Sequence, residues 1–110
     1  MRAKKEILKI SESEFSRQIE DLFNLFGWRW VHSRPARTDK GWRTALSGYK
    51  GFPDYLAIRS ERMLVLELKS DTGTLTKEQE DWLRAFALCH IEIRIWRPGD
   101  DFEAICQILH

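Results

Sequence analysis

The chain has 110 residues and a formal net charge of +1, with 18 Lys and Arg against 17 Asp and Glu. That length suits one domain spanning 1–110 and leaves no room for a catalytic unit plus a separate recognition unit. A hydrophobic content of 43%, with five Trp and six Phe, excludes a disordered tail, and near-neutrality argues against a simple polycation that coats nucleic acid. No apolar run approaches the ~20 residues that cross a bilayer, so no membrane partner is expected. The basic stretch 1–10 lacks the apolar segment of a signal peptide and is read as a flexible start, so an intracellular location is expected. Cys89 and Cys106 fall in apolar helical stretches and read as buried thiols rather than a disulfide; no zinc spacing exists among Cys and His.

In chain order, Phe15, Ile19, Leu22, Phe23 and Phe26 form one helical stripe. Ser11 with Glu14 makes a capping-box start, and Gly27 a natural stop. Trp28 to Arg34 reads as a strand. Pro35 to Gly51, with three glycines and few aliphatics, reads as a long loop, a feature that is usually functional or disordered. Two strands follow, Asp54 to Arg59 and Met63 to Lys69, joined by a turn at Ser60-Glu61. The next helix begins near Thr76, with Gln79, Trp82, Leu83 and Phe86 on its inward stripe. Ile91, Ile93 and Ile95 alternate as a further strand, ended by Pro98-Gly99. Asp100 or Asp101 caps a last helix with Phe102, Ile105, Cys106 and Leu109 inward. The order α-β-β-β-α-β-α predicts one α/β domain, with no internal repeat or linker.

The chemistry concentrates in Gly51-Phe52-Pro53-Asp54 and Glu67-Leu68-Lys69. Side chains alternate along a strand, so Leu64, Leu66 and Leu68 face one way and Val65, Glu67 and Lys69 the other. A hairpin centred on Ser60-Glu61 pairs Ile58 with Met63, Leu56 with Val65, and Asp54 with Glu67. Directly opposed carboxylates, with Cβ atoms about 4.5–5.5 Å apart, repel and call for a hard divalent cation with oxygen ligands, Mg²⁺ or Mn²⁺. Lys69, one pleat further on the same face, is placed to hold a water nucleophile or neutralise charge on a phosphoryl transition state. Gln79 either closes a capping box with Thr76 or reaches the site from the first turn of its helix. Glu14 has the same two readings, capping and metal ligation. His32, at a strand end near Asp54, is structural or catalytic.

Pro53-Asp54 followed by Glu67-Leu68-Lys69 resembles the PD-(D/E)XK nuclease signature, whose fold is a mixed central sheet flanked by helices. The fuller string resembles the VRR-NUC group, virus-type replication-repair nucleases. Its pieces are Gly27-Trp28, His32, Gly51-Phe52-Pro53-Asp54, Glu67-Leu68-Lys69, Thr72-Gly73, Gln79, Trp82 and Trp96-Arg97-Pro98-Gly99-Asp100. The resemblance implies that Asp54, Glu67 and the Leu68 carbonyl ligate the metal, that Lys69 is the catalytic lysine, and that Gln79 is the helix glutamine near the site. The first-helix glutamate of the family best matches Glu14, with Glu20 as a competitor. The implied reaction is Mg²⁺- or Mn²⁺-dependent hydrolysis of DNA phosphodiesters. Stand-alone phage members resemble Holliday-junction resolvases in motif layout, which implies a homodimer acting on branched DNA in the cytoplasm of a bacterial host.

Residues 29–50 carry six basic side chains against Asp39 alone, a local charge of +5 that leaves −4 for the remainder. Arg34, Arg37, Lys40, Arg43 and Lys50 are therefore the candidate phosphate contacts. Trp42 and Tyr49 either stack on an exposed base or pack the loop onto the domain. The leading expectation is a structure-selective DNA endonuclease; the alternatives are a non-catalytic DNA-binding module of the same fold and a restriction-like or exonucleolytic nuclease.

Overall fold

The first helix, α1 (Glu12–Leu25), starts at the Ser11 capping box: the Ser11 Oγ accepts from the Glu14 N–H at 3.1 Å and the Ser11 N–H donates to the Glu14 carboxylate at 3.2 Å. It ends in a Schellman motif. Gly27 takes φ +80°, the Trp28 N–H returns to the Phe23 carbonyl at 2.8 Å, and the Trp28 ring packs on Phe23. Phe15, Ile19, Leu22 and Phe23 are buried, as their spacing demands. The structure, a computed structural model, describes residues 10–33, 36–38, 41–43 and 47–110, and for 36–38 and 41–43 the backbone alone.

After α1 come β1 (Arg29–His32), a separate pair β2 (Ala36–Thr38) and β3 (Gly41–Arg43), then β4 (Tyr55–Arg59) and β5 (Arg62–Leu68). The chain continues through α2 (Lys77–Leu88), β6 (Glu92–Trp96) and α3 (Phe102–Leu109). The main sheet runs β1-β4-β5-β6, antiparallel except for the parallel β5–β6 pair that α2 connects. This is the expected mixed α/β order. The segment expected as one loop from Pro35 to Gly51 differs: β2 and β3 pair in it, Ala36 opposite Arg43 and Thr38 opposite Gly41. The residues of this pair lack the apolar alternation that announces a buried strand.

The β4–β5 register is the expected one, Ile58 opposite Met63 and Leu56 opposite Val65, closing at Arg59–Arg62. Ser60 enters the left-handed region at φ 54° to make the two-residue turn, which glycine or asparagine usually supplies. One sheet face carries Tyr55, Ala57, Leu64, Leu66, Leu68 and Trp96 into the core shared with α1 and α3. The other carries Val65 and Glu67, with α2 packed on β6. There α2 buries only Leu83, so its last turn faces solvent. Cys89, expected to be buried, is consequently exposed, while Cys106 is half-buried; both are free thiols. Phe102, expected inward, is also exposed: it opens α3, where Asp101 is the cap, and burial begins at Ile105. No described helix is long and apolar enough to cross a membrane.

Arg59 fastens two helix ends. Its guanidinium donates to the Phe26 carbonyl at 3.0 Å, the Leu109 carbonyl at 2.9 Å and the His110 carbonyl at 2.9 Å, and lies over the Trp28 ring. These carbonyls close α1 and α3, where the helix dipole favours a cation. Arg59→Ala should destabilise the fold by about 2 kcal/mol, read as a lower urea midpoint at unchanged slope. Arg59→Lys should recover only part, because an ammonium cannot span three acceptors in a plane.

Candidate active site

β4 begins where β5 ends, and this antiparallel arrangement places Asp54 and Glu67 side by side. Asp54 precedes the Tyr55–Leu66 pair and Glu67 follows it, so the two carboxylates continue the register. The Asp54 carbonyl accepts from the Ser33 N–H at 2.7 Å, which ties it to the end of β1. Its Oδ2 accepts from the Leu68 N–H at 2.8 Å, so the side chain takes up a backbone donor at the end of the β4–β5 ladder.

Glu67 is 1% exposed, a charge-bearing group inside the protein. Its Oε2 accepts from Gln79 Nε2 at 3.0 Å and lies 3.8 Å from the Lys69 ammonium. Its Oε1 is buried without a hydrogen-bond partner, and such an orphan in a native site requires a cause. Burial, and next the Asp54 charge, push the Glu67 carboxyl up to about 7. Burial also raises Asp54, partly offset by the Leu68 N–H, His32 and Lys69. Burial thus disfavours the charged form of both, and the Asp54 charge adds to it at Glu67.

Gln79 resolves its two sequence readings by serving both. Its amide oxygen accepts from the Thr76 N–H at 2.9 Å and its own N–H donates to Thr76 Oγ1 at 3.1 Å, which closes the capping box. The amide NH₂ is then left to hold Glu67. Gly51 sets the approach: at φ +90°, a Cβ there would lie 2.6 Å from the Glu78 carbonyl carbon and 2.8 Å from the Gln79 nitrogen. Only glycine lets the segment leading to Pro53-Asp54 press on the first turn of α2. Phe52 locks that contact, its ring 5.1 Å from Trp82 and 6.1 Å from Phe86.

Around this pair lies a cavity of about 420 Å³, walled by α1, the ends of β1 and β5, and the start of α2. Asp54, Glu67, Leu68, Lys69 and Gln79 all line it. Glu14 does not; it is exposed, its carboxylate folded back on the Ser11 N–H. The α1 residues that face the cavity include Glu12, Ser16 and Glu20, four apart on one helical row. Glu20, the competitor, accepts from the Tyr55 hydroxyl at 2.5 Å and lies 3.2 Å from His32 Nδ1. The His32 ring stacks on Tyr55 with centroids 4.1 Å apart. Glu12, Ser16 and Arg17 were not among the expected site residues, although the polar row beside the apolar stripe marks them.

Asp54, Glu67 and the Leu68 backbone form a hard-oxygen donor set. The unpartnered Glu67 Oε1 and the two carboxyls raised by burial are what a divalent cation would relieve, so these residues fit one. Among the described residues, no three Asp, Glu, His or Cys side chains converge closely enough to form a ready-made metal cluster. Of the expected DNA contacts, Lys50 and Tyr49 are exposed. Arg34 and Lys40 lie outside the described residues, as do the side chains of Arg37, Trp42 and Arg43.

The raised Glu67 carboxyl carries a stability consequence. Folded, it keeps its proton to about pH 7; unfolded, it loses it near 4.5, so its ionisation destabilises the fold progressively across that interval and fully above it. Glu67→Gln should therefore raise the melting temperature in EDTA at pH 8, by about 5 °C, with the gain shrinking toward pH 5. An unchanged or lower value at pH 8 would contradict the burial argument.

No protein-family model matches the chain, and no curated protein matches it. Among solved structures, it is similar to Hjc, a Holliday junction resolvase from the archaeal hyperthermophile Archaeoglobus fulgidus. The similarity has a TM-score of 0.53 at 18% identity over 80% of this chain and 70% of that one. The α/β architecture derived above is thus a fold that this resolvase shares.

Proposed function

We propose that the chain is a divalent-metal-dependent DNA endonuclease of the PD-(D/E)XK type, in its VRR-NUC form, that cuts branched DNA as a homodimer. One observation carries the reading. A buried glutamate with an unpartnered oxygen stands beside an aspartate, with a lysine 3.8 Å away and a glutamine amide fixing its other oxygen. Neither fold nor packing requires that arrangement, and metal-assisted phosphodiester hydrolysis would use every part of it. The likeness to Hjc supports the choice of junction DNA.

Asp54, Glu67 and the Leu68 carbonyl would hold Mg²⁺ or Mn²⁺. When bound, the ion supplies Lewis acidity toward the phosphate and lowers the pKa of a water. Gln79 keeps the Glu67 carboxylate in one orientation, sparing reorganisation at the moment of reaction. Lys69 is 17% exposed in its side chain and is placed to donate to a phosphate oxygen or to orient the attacking water. Glu20 and Glu12 are the acidic residues of the α1 wall, better situated than Glu14 to act on the site. Lys50 and Tyr49, with Arg34, Arg37, Lys40, Arg43 and Trp42, would carry the DNA strand toward it, consistent with the +5 charge of that stretch.

Support for the homodimer comes from the sheet face opposite the core. Val31 is 56% and Ile58 37% exposed there, beside half-buried Leu56 and Met63. A second copy would cover this strip.

With labelled four-way junction, flap, duplex and single-stranded DNA, wild type should cut the junction in Mg²⁺ or Mn²⁺ and nothing in EDTA. Asp54→Asn and Lys69→Met should each lower the rate at least about a hundredfold, and Gln79→Ala roughly tenfold. Equal cutting by Asp54→Asn would end the nuclease assignment. Light scattering should give a dimer that Ile58→Asp dissociates; wild type at monomer mass across micromolar concentrations would remove the two-copy picture.

A further inference from the structure

A second concavity, of about 760 Å³, lies between residues 47–50 and the outer side of α2, lined by Tyr49, Lys50, Glu78, Asp81 and Trp82 among others. Its size falls within the roughly 300–1,000 Å³ of small-ligand sites. Trp82 forms part of its wall and is held on every side: it stacks on Phe86 at 5.8 Å, meets the Phe52 edge at 5.1 Å, and donates its indole N–H to the Tyr49 carbonyl at 3.2 Å. That hydrogen bond occupies the one polar group of the indole, so what faces outward is π-surface. Tyr49 is 89% exposed, a full aromatic ring in water on a segment that Trp82 and the Gly51 contact hold in place.

We propose that this groove receives one unpaired nucleobase of the DNA substrate, a reading that rests on the nuclease assignment and names what makes it structure-selective. An aromatic wall with a second, exposed ring beside it suits a planar π-system. Lys50 supplies a cation for the adjoining phosphate. The polar groups at the α2 edge are both acceptors, Glu78 and Asp81, of which Asp81 already pairs with Lys77 at 3.4 Å. Acceptors there match the exocyclic amino groups of cytosine, adenine and guanine, and thymine has none to offer. The groove also adjoins the chemistry: Glu78 neighbours Gln79, which holds Glu67, and Gly51 presses on both. A base seated here leaves its strand beside the catalytic carboxylates, so a fully stacked duplex is disfavoured and a branch point or bulge preferred.

The test measures binding without cleavage. Asp54→Asn protein in EDTA is titrated into duplex with a single-nucleotide bulge of 2-aminopurine, and into the matched duplex with the probe paired. Seating of the base should quench the bulged probe and leave the paired one unchanged. Adding Tyr49→Ala should weaken binding to the bulged duplex at least about fivefold, and by a clearly smaller factor on paired duplex. Glu78→Gln should narrow the preference for cytosine or adenine over thymine at the bulge. No quenching, or equal loss on bulged and paired DNA, overturns the groove. Quenching that depends on Tyr49 in a protein whose wild type cuts no DNA would uphold the groove and reject the nuclease. Wild-type cleavage whose substrate preference survives Tyr49→Ala would do the reverse.

Discussion

The repulsion between Asp54 and Glu67 is the constraint around which the rest of this domain is arranged. Burial raises both carboxyls at the shared end of the antiparallel pair, the Asp54 charge raises Glu67 further, and Glu67 is buried with an unpartnered oxygen. A fold selected for stability alone would put an apolar pair there, since like charges directly opposed on a sheet destabilise it. Holding them requires a rigid frame: the central strand β5, buried from Leu64 to Leu68 between two neighbours, the Leu68 N–H on Asp54, the Gln79 amide on Glu67, and Lys69 nearby. The strain is local, and the core on the opposite face offsets it.

That core explains why so much of the fold could be read from the amino-acid sequence. The α1 stripe and the leucine alternation of β5 are strong periodic signals, because each buries one face against a continuous apolar layer; the β6 isoleucines alternate on the opposite face, beside Val65 and Glu67, where Ile95 is exposed. The alternation also placed Asp54 beside Glu67, since a register that satisfies Leu56–Val65 and Ile58–Met63 brings the two opposite each other across the hairpin.

Where the reading fell short, the information was not in the periodicity. The β2–β3 pair is held by backbone bonds that are indifferent to side-chain type. α2 ends on His90 at φ 62°, with the Ile91 N–H returning to the Phe86 carbonyl, a left-handed cap without the usual glycine mark. Glu14, read as a cap or a metal ligand with Glu20 as its competitor, folds back on the Ser11 N–H, while Glu20 lines the cavity from another side of the helix, a difference that depends on the tertiary placement of α1. Gln79 shows the converse: two readings set against each other are both true, because an amide has two ends.

That double use has a thermodynamic consequence. The side chain that closes the first turn of α2 is the same one that holds Glu67, so fraying of the helix start and release of the carboxylate are a single equilibrium. Linkage then works in both directions. Whatever occupies the site and steadies Glu67 also protects the Gln79 and Glu80 amides from solvent exchange, and a contact made on the outer side of α2 steadies the carboxylate in return. The helix start is in this sense a reporter of the site's occupancy, joined to it through one amide group.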